Sequence, residues 1–190
     1  VFLKRNSGHP LLGREITLRN TPASLVICAA PDYARFNLRI DPAQLAGASK
    51  AFELELPTKI GAISVAGDRV GARLGPDEWY LLAAPSSQEA VERAFADLYP
   101  AMPHSLVDVG HREVGIDISG THVVSVLSSA IAFDVGAMPA GTGCRTIFDR
   151  TQIVLLREAV DRFRIMVWRS YAEHVWQLLA AAGREVELDI

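Results

Sequence analysis

The sequence has few cysteines, few lysines and no long apolar run, and each shortage excludes a class of protein. Cys28 and Cys144 are the only cysteines, which is too few for a disulfide framework, and no clustered Cys/His spacing predicts a metal site. Most of the 19 cationic residues are scattered arginines and the net charge is -3, which argues against a nucleic-acid surface. Charges, glycines or prolines interrupt every apolar stretch before it reaches transmembrane length.

The 190 residues are 49% hydrophobic, which is enough apolar content for a compact core. Two distant thiols and the lack of a signal-peptide pattern predict a cytoplasmic protein that contacts neither nucleic acid nor membrane. Prolines and glycines mark residues 1–33 as an N-terminal arm, with one strand candidate at Glu15–Arg19. The arm lies over the domain or a partner, or it is a partly ordered terminus.

After the arm, the hydrophobic pattern predicts a definite order of elements. Phe36, Leu38 and Ile40 alternate with polar residues, which predicts a half-buried strand, and Asp41 is placed to cap a short helix. A segment interpreted as a loop, 61–67, leads into a hairpin with a tight turn. A second amphipathic helix follows the hairpin.

The same order returns in the second half of the chain at fixed offsets. Val114, Ile116 and Ile118 follow their counterparts by 78 positions, and Ser119 takes the capping position. The hairpin and second helix recur 84 positions on, as the pairs Trp79 and Phe163, Leu81 and Ile165, and Val91 and Val175 show. The change of offset places a six-residue insertion near Pro139–Gly143.

Offsets that hold through a strand and a helix start favour a duplicated unit of strand, helix, hairpin and helix. The sequence therefore predicts an α+β fold with a mainly antiparallel sheet and outer helices. Because pairing the halves would bury the back of each short sheet, we expect one pseudo-duplicated domain at 34–184. Its repeats span about 34–103 and 106–184, and residues 185–190 form a C-terminal tail.

No complete catalytic set emerges, so we predict no catalytic residue and no metal in this chain. The nucleotide-binding glycine motifs, HExxH and GxSxG are all missing, and the five histidines are spread over different elements. Cys144 is either a small buried hydrophobe or a thiol whose pKa is lowered by Arg145. Gly141-Thr142-Gly143 is either a turn or a flexible loop that brings Arg145 to an anion or a partner carboxylate.

Several residues suit a contact with a partner better than catalysis. Asp77 and Glu78 lie at the hairpin tip, directly before Trp79, either as solvated acids or as acids that grip a partner's arginine. Trp168 is expected on the outer face at a strand end, where tryptophan suits a protein-protein surface. His111-Arg112-Glu113 is expected to join two strands, with Arg112 paired to a carboxylate inside the domain or across an interface. The candidate partner-interface or anion-contacting residues are Arg112, Arg145, Trp168, Asp77 and Glu78.

Four stretches together resemble the gamma subunit family of heterotetrameric sarcosine oxidase. They are Leu74–Trp79 followed by Leu81-Leu82, Val107–Arg112, Cys144–Thr146, and Val167–Tyr171 with Trp176. The resemblance spans about Arg35 to Arg184. It departs from the family pattern at Gly110, where serine is usual, and at Tyr171, where phenylalanine is frequent.

The resemblance implies a small non-catalytic subunit of a flavin-dependent complex. That complex demethylates sarcosine oxidatively to glycine, releases hydrogen peroxide and passes the one-carbon unit to tetrahydrofolate. The resemblance places FAD, FMN, NAD and tetrahydrofolate in the larger alpha and beta subunits, with no cofactor in this chain, and adds a small delta subunit as a partner. It also implies the fold of the folate-binding domain of aminomethyltransferases.

Two alternatives stay open. The chain is a stand-alone folate-binding or one-carbon-transfer protein, in which Arg145 or Arg112 binds the glutamate tail and Trp168 stacks on the pterin. Otherwise it is a free-standing binding module that self-associates. Because a subunit also can form a homo-oligomer when isolated, oligomeric state alone does not separate these hypotheses.

Overall fold

The computed structural model describes residues 9–20 and 23–188, which contain eleven strands and four α-helices. The strands are β1 (Glu15–Asn20), β2 (Ala23–Ala29), β3 (Ala34–Ile40), β4 (Ile63–Ala66), β5 (Arg69–Arg73), β6 (Glu78–Ala83), β7 (His104–Asp108), β8 (Glu113–Ser119), β9 (Thr142–Phe148), β10 (Thr151–Ala159) and β11 (Arg162–Trp168). The helices are α1 (Leu45–Phe52), α2 (Gln88–Leu98), α3 (Val123–Ser128) and α4 (Ala172–Leu188). No helix within these residues is both long and apolar enough to cross a membrane.

The chain divides into two compact units, which are described separately. Unit one takes the described residues up to Pro31, then His111–Ala140 and those from Arg145 onward. Unit two takes Asp32–Gly110 and Gly141–Cys144.

Unit two is a five-stranded antiparallel sheet in the order β4-β5-β6-β3-β7, with α1 and α2 in the connections. Phe36 and Leu38 on β3 are fully buried, as their alternation predicts. The Asp41 side chain accepts a hydrogen bond of 2.9 Å from the Ala43 backbone N–H and so starts the helical turn before α1. The side chains of Phe36 and Leu38 pack with Phe52, Trp79 and the buried face of α2 into one core.

Unit one contains a six-stranded sheet in the order β1-β2-β8-β11-β10-β9. The central strands carry the buried side chains Ile116 and Ile118 on β8 and Ile165 on β11. The helix α4 adds Val175 and Leu179, which lie four residues apart on one helical face and are both fully buried.

The predicted element order and the α+β class are confirmed in both units. A short 3₁₀ turn precedes the last helix of each repeat, at Pro85–Ser87 before α2 and at Arg169–Tyr171 before α4. The two turns are offset by 84 positions, as the sequence predicts for the second helix. The counterparts of Phe36 and Leu38, which are Val114 and Ile116, are also buried in a strand.

Four local predictions are wrong. Ala23–Ala29 forms a strand in which Leu25 and Ile27 alternate as buried residues. The prolines that flank this segment make its sequence look irregular. Part of the predicted loop 61–67 is β4, which pairs with β5 through a two-residue hairpin loop. Ser119 ends β8, and the N-cap position of α3 is His122, whose side chain makes no capping hydrogen bond. Thr142 and Gly143, predicted as part of a loop, belong to β9.

The predicted boundaries can be placed on the two units. The first repeat, 34–103, lies in unit two, whereas the second, 106–184, lies in unit one apart from residues 106–110 and 141–144. The predicted arm includes β1 and β2, and the predicted tail begins within α4. Residues 1–8, 21–22 and 189–190 lie outside the described residues. That the two repeats form a single domain stays a prediction.

Candidate partner interface

A half-exposed aromatic pair lies at the end of β11 in unit one. Trp168 is the last residue of this strand and Tyr171 ends the 3₁₀ turn that follows. Their ring centroids are 6.5 Å apart, and each residue is 41% exposed. We call Arg112, Trp168, Arg169 and Tyr171 the Trp168 surface. Aromatic residues and arginine at the surface are enriched in protein-protein interfaces.

A buried carboxylate holds Arg112 in place on this surface. The Arg112 Nη2 atom lies 2.8 Å from Glu113 Oε1, and the Glu113 side chain is only 3% exposed. The guanidinium carbon of Arg112 lies 5.5 Å from the centroid of the Trp168 ring, which is a cation-π contact. Glu113 therefore helps to hold the Arg112 guanidinium against the ring.

Backbone contacts also hold Arg112 and Trp168 in this arrangement. Glu113 on β8 is the direct cross-strand neighbour of Trp168 on β11. The Arg169 backbone N–H donates to the Arg112 carbonyl at 2.7 Å, and its Nε donates to the His111 carbonyl at 3.2 Å. The segment His111-Arg112-Glu113 thus joins two strands, as predicted, and it also anchors the turn that carries Tyr171. A surface held in this way loses little side-chain entropy when it binds a partner.

The first repeat shows that the fold does not need these aromatic residues. The positions 84 residues before Trp168 and Tyr171 are Ala84 and Ser87. The backbone angles at Ala84 are φ -55° and ψ 145°, close to φ -60° and ψ 135° at Trp168. Because the same turn forms with small side chains, packing of the turn does not explain the exposed rings.

Sequence reasoning identified Trp168 and Arg112 but missed Tyr171 and Arg169 as parts of the same surface. Trp168 and Tyr171 are three residues apart, but Trp168 is extended, with φ -60° and ψ 135°, and precedes the 3₁₀ turn. The alignment of side chains within such a turn therefore does not predict the contact between the rings. The contacts of Arg169 depend on strand pairing between β8 and β11 and could not be read from local sequence.

The acids of the hairpin turn lie in unit two and bind residues of that unit. Asp77 Oδ1 is 2.7 Å from Arg39 Nη1, and Glu78 Oε2 is 3.5 Å from Arg39 Nη2. Asn37 Nδ2 donates to Glu78 Oε1 at 2.6 Å. These contacts join the start of β6 to β3, so both acids have a structural role within unit two. A grip on a partner's arginine stays a prediction.

The electrostatics of Cys144 favour the alternative in which it is a small hydrophobe. Burial raises the pKa of the Cys144 thiol, which argues against the alternative in which Arg145 lowers that pKa. Arg145 follows on β9 and is half-buried. Burial, together with Asp117 and Glu15, likewise raises the pKa of Cys28. Within residues 9–20 and 23–188, no group of three His, Cys, Asp or Glu side chains is arranged to hold a metal ion.

One half-buried histidine of unit one has a carboxylate partner. His174 Nε2 lies 2.9 Å from Asp149 Oδ2, and Arg150 Nε donates to the same oxygen at 3.1 Å. The hydrogen bond from His174, and next that from Arg150, lower the pKa of Asp149. The pair ties the first turn of α4 to the turn between β9 and β10.

Replacing His174 with alanine is expected to raise the Asp149 pKa toward its ordinary value of 3.8, as measured by carbon-detected NMR titration. Because the pKa of Asp149 is depressed in the folded state, the pair stabilises the protein above the unfolded-state pKa and loses this effect as pH falls through the folded-state pKa. The advantage in stability over His174→Ala should therefore shrink below about pH 4. An Asp149 pKa that is identical in the two proteins would contradict the assignment.

The comparisons with known proteins identify the family. A model of the sarcosine oxidase gamma subunit family matches residues 37–185. This chain belongs to the sarcosine oxidase gamma subunit family. The matched residues include the whole Trp168 surface as well as Asp77, Glu78 and Arg145. A search of curated protein sequences found no match.

Solved structures confirm the predicted fold of this gamma-family chain. It is similar to a chain of the heterotetrameric sarcosine oxidase from Corynebacterium sp. U-96 in complex with pyrrole 2-carboxylate, with a TM-score of 0.77, 20% identity and 86% of each chain covered. It is also similar to the glycine cleavage system aminomethyltransferase T from Bartonella henselae, with a TM-score of 0.63 and 14% identity. That match covers 80% of this chain but only 44% of the aminomethyltransferase.

The regulatory subunit of aspartate kinase from Thermus thermophilus has a related fold, with a TM-score of 0.52, 13% identity, and 88% and 99% of the two chains covered. At such identities the similarities establish architecture alone, because one fold carries many functions. The family assignment of the gamma-family chain therefore rests on the sequence match.

Proposed function

We propose that this chain is a non-catalytic subunit of a heterotetrameric, flavin-dependent sarcosine oxidase. Its partners would be the larger alpha and beta subunits and a small delta subunit. The complex would demethylate sarcosine to glycine and transfer the one-carbon unit to tetrahydrofolate. The observation that carries the proposal is the family match over residues 37–185. The likeness to a chain of the Corynebacterium enzyme supports it.

The Trp168 surface supports a role in assembly. Its rings are half-exposed, Arg112 is held by the buried Glu113, and the first repeat makes the same turn without aromatic side chains. Preorganised tryptophan, tyrosine and arginine are the side chains that most often dominate binding energy at interfaces. We therefore assign this surface to the contact with a larger subunit.

The groove beside α1 offers no stacking surface for a flat cofactor. A groove of about 670 Å³ in unit two lies between α1 and β4, and its walls carry no aromatic side chain. Flavin and pterin rings are flat, and proteins commonly bind such rings by stacking aromatic side chains on them. The proposal assigns FAD, FMN, NAD and tetrahydrofolate to the partner subunits, as the family resemblance implies.

A tagged pull-down of this chain from its native cells, followed by an absorbance spectrum of the eluate, tests the proposal. We expect larger subunits to co-elute with flavin bands and to release hydrogen peroxide when sarcosine is added. A colourless chain that elutes alone from cells grown on sarcosine would overturn the proposal.

The isolated chain is expected to bind neither flavin nor folate. Its spectrum should lack flavin bands after incubation with FAD and FMN, and calorimetry with millimolar tetrahydrofolate should show no heat of binding. A stoichiometric flavin spectrum would contradict the non-catalytic assignment. A saturable folate signal that Trp168→Ala abolishes would favour the stand-alone one-carbon-transfer protein instead.

A further inference from the structure

A buried arginine of unit two carries hydrogen-bond donors that no described protein group uses. Arg35 lies on β3, and its side chain is only 1% exposed. Its Nη1 atom donates to Asp32 Oδ1 at 3.0 Å and to the Tyr33 carbonyl at 3.1 Å. Its Nε and Nη2 atoms have no hydrogen-bond partner among the residues that the structure describes. Such donors call for an explanation, because a buried donor left unpaired on a charged group is destabilising.

The two unused atoms lie on the same edge of the guanidinium group. The Nε–H bond and one Nη2–H bond are parallel, and their spacing matches the two oxygens of a carboxylate. The residue opposite Arg35 on β6 is Leu82, which is apolar and fully buried. A carboxylate accepts both bonds and brings no hydrogen of its own, whereas a water molecule brings hydrogens that need acceptors in turn. The edge therefore suits a carboxylate better than water.

The charges along this face of β3 point to the same ligand. Arg35 and Arg39 are four residues apart on the strand and share a face. Arg39 is 52% exposed in its side chain and lies 2.7 Å from Asp77 and 3.5 Å from Glu78. Arg35 is the more buried cation, yet the carboxylate that it binds, Asp32, is 60% exposed and contacts Nη1. Because a cation taken out of water needs close counter-charge, a negative group at the Nε edge would be stabilising.

A short segment without helix or strand lies over the guanidinium group. Asp32 and Tyr33 precede β3, and both accept hydrogen bonds from Nη1. The Tyr33 ring centroid lies 5.9 Å from the guanidinium carbon of Arg35. Local opening of such a segment requires less free energy than global unfolding, which gives a small anion a route to the buried edge.

We infer that the Nε and Nη2 atoms of Arg35 form a binding site for one carboxylate group. The carboxylate would come either from a small free acid or from an aspartate or glutamate of a larger oxidase subunit. Both sources present the same planar pair of oxygens, so one site serves either. The site itself is independent of the proposed function, whereas a subunit as its source rests on that function.

NMR titration of the isolated chain with sodium formate tests the site. Sodium chloride is exchanged for formate at constant ionic strength, and the Nε–H signal of Arg35 is assigned by its loss in Arg35→Met. We expect this signal to shift with saturation. Formate at ten times its Kd should also raise the equilibrium constant for folding about tenfold, as measured by urea denaturation.

Three variants separate the paired donors of Arg35 from its charge. Arg35→Met removes both and should abolish the stabilisation by formate. Arg35→Lys keeps the charge but lacks the two parallel N–H bonds, so it should bind formate at least about tenfold more weakly, and it replaces Arg35→Met if that variant does not fold. Arg39→Met is the matched control on the same face and should leave both formate effects unchanged.

Recovery of the larger subunits by the tagged chain identifies the source of the carboxylate. If a subunit supplies it, Arg35→Met should weaken recovery by about thirtyfold or more, the loss typical of truncating one member of a buried charge pair. Formate should then compete with the subunit for the unaltered chain. If a free acid supplies it, Arg35→Met and Arg39→Met should both recover the subunits within about twofold of the unaltered chain.

The outcomes distinguish this inference from the proposed function. A shift of the Nε–H signal and a stabilisation that both require Arg35 support the site. Formate that changes neither overturns the inference. Equal formate effects in Arg35→Met and the unaltered chain would indicate adventitious binding only and overturn it as well. Failure to recover any larger subunit overturns the proposed function, whereas the formate titration still decides the site.

Discussion

Replacing Trp168 with alanine is expected to weaken the binding of this chain to the larger subunits by about thirtyfold or more, the loss typical of an interface hot spot. The substitution removes the half-exposed ring and the surface on which the Arg112 guanidinium rests. Surface plasmon resonance with the immobilised chain and purified larger subunits would measure the change in Kd.

Val160→Ala is the matched control for this prediction. Val160 is 73% exposed at the turn between β10 and β11 of the same unit, so its truncation also removes exposed apolar surface. Binding of this variant should change by no more than about twofold, as most exposed side chains outside a hot spot contribute little. Equal affinities of Trp168→Ala and the unaltered chain would show that the Trp168 surface is not the contact.

Replacing Trp79 with alanine is expected to lower the free energy of unfolding by about 3–5 kcal/mol. Trp79 is fully buried in the core of unit two, and its Nε1 donates to the Pro57 carbonyl at 2.9 Å. The Arg73 guanidinium carbon lies 4.7 Å from the ring centroid. The substitution leaves a cavity, an unpaired carbonyl and a displaced arginine. Urea denaturation followed by circular dichroism would measure the loss.

Trp79→Phe separates packing from the hydrogen bond. It keeps an aromatic ring in the core and loses the bond to Pro57, so we expect a smaller loss of about 1–3 kcal/mol. Trp168→Ala provides the complementary control, because its ring is half-exposed and its loss should lower Tm by no more than about 3 °C. A Trp79→Ala protein as stable as the original would contradict the core assignment.

Elements with strong hydrophobic periodicity could be predicted from the sequence, whereas short elements flanked by glycines could not. The alternation of Phe36, Leu38 and Ile40 survives in β3 because one face of the strand is buried. The strand β4 has only four residues between Gly61 and Gly67, so glycine dominates its local pattern. Its pairing with β5, a tertiary interaction, overrides that pattern.

The candidate site also combines residues that could be predicted from the sequence with contacts that could not. Trp168 and Arg112 could be found from their types and positions, because tryptophan at a strand end and arginine in a polar joint are unusual in a core. The burial of Glu113 and its place opposite Trp168 follow from the pairing of β8 with β11, across more than fifty residues of chain. Likewise, Arg39 binds Asp77, which lies 38 residues away along the chain. No local sequence pattern predicts this pairing.

The two repeats contain 3₁₀ turns of matching backbone shape, and the turn of the first repeat carries no aromatic side chain. Ala84 and Ser87 hold the same backbone course as Trp168 and Tyr171 but display almost no side chain. Transplanting the two rings onto the first repeat would give the chain a second copy of the proposed aromatic contact without redesigning its backbone. The small residues of the first turn thus restrict the proposed contact to one half of a duplicated fold.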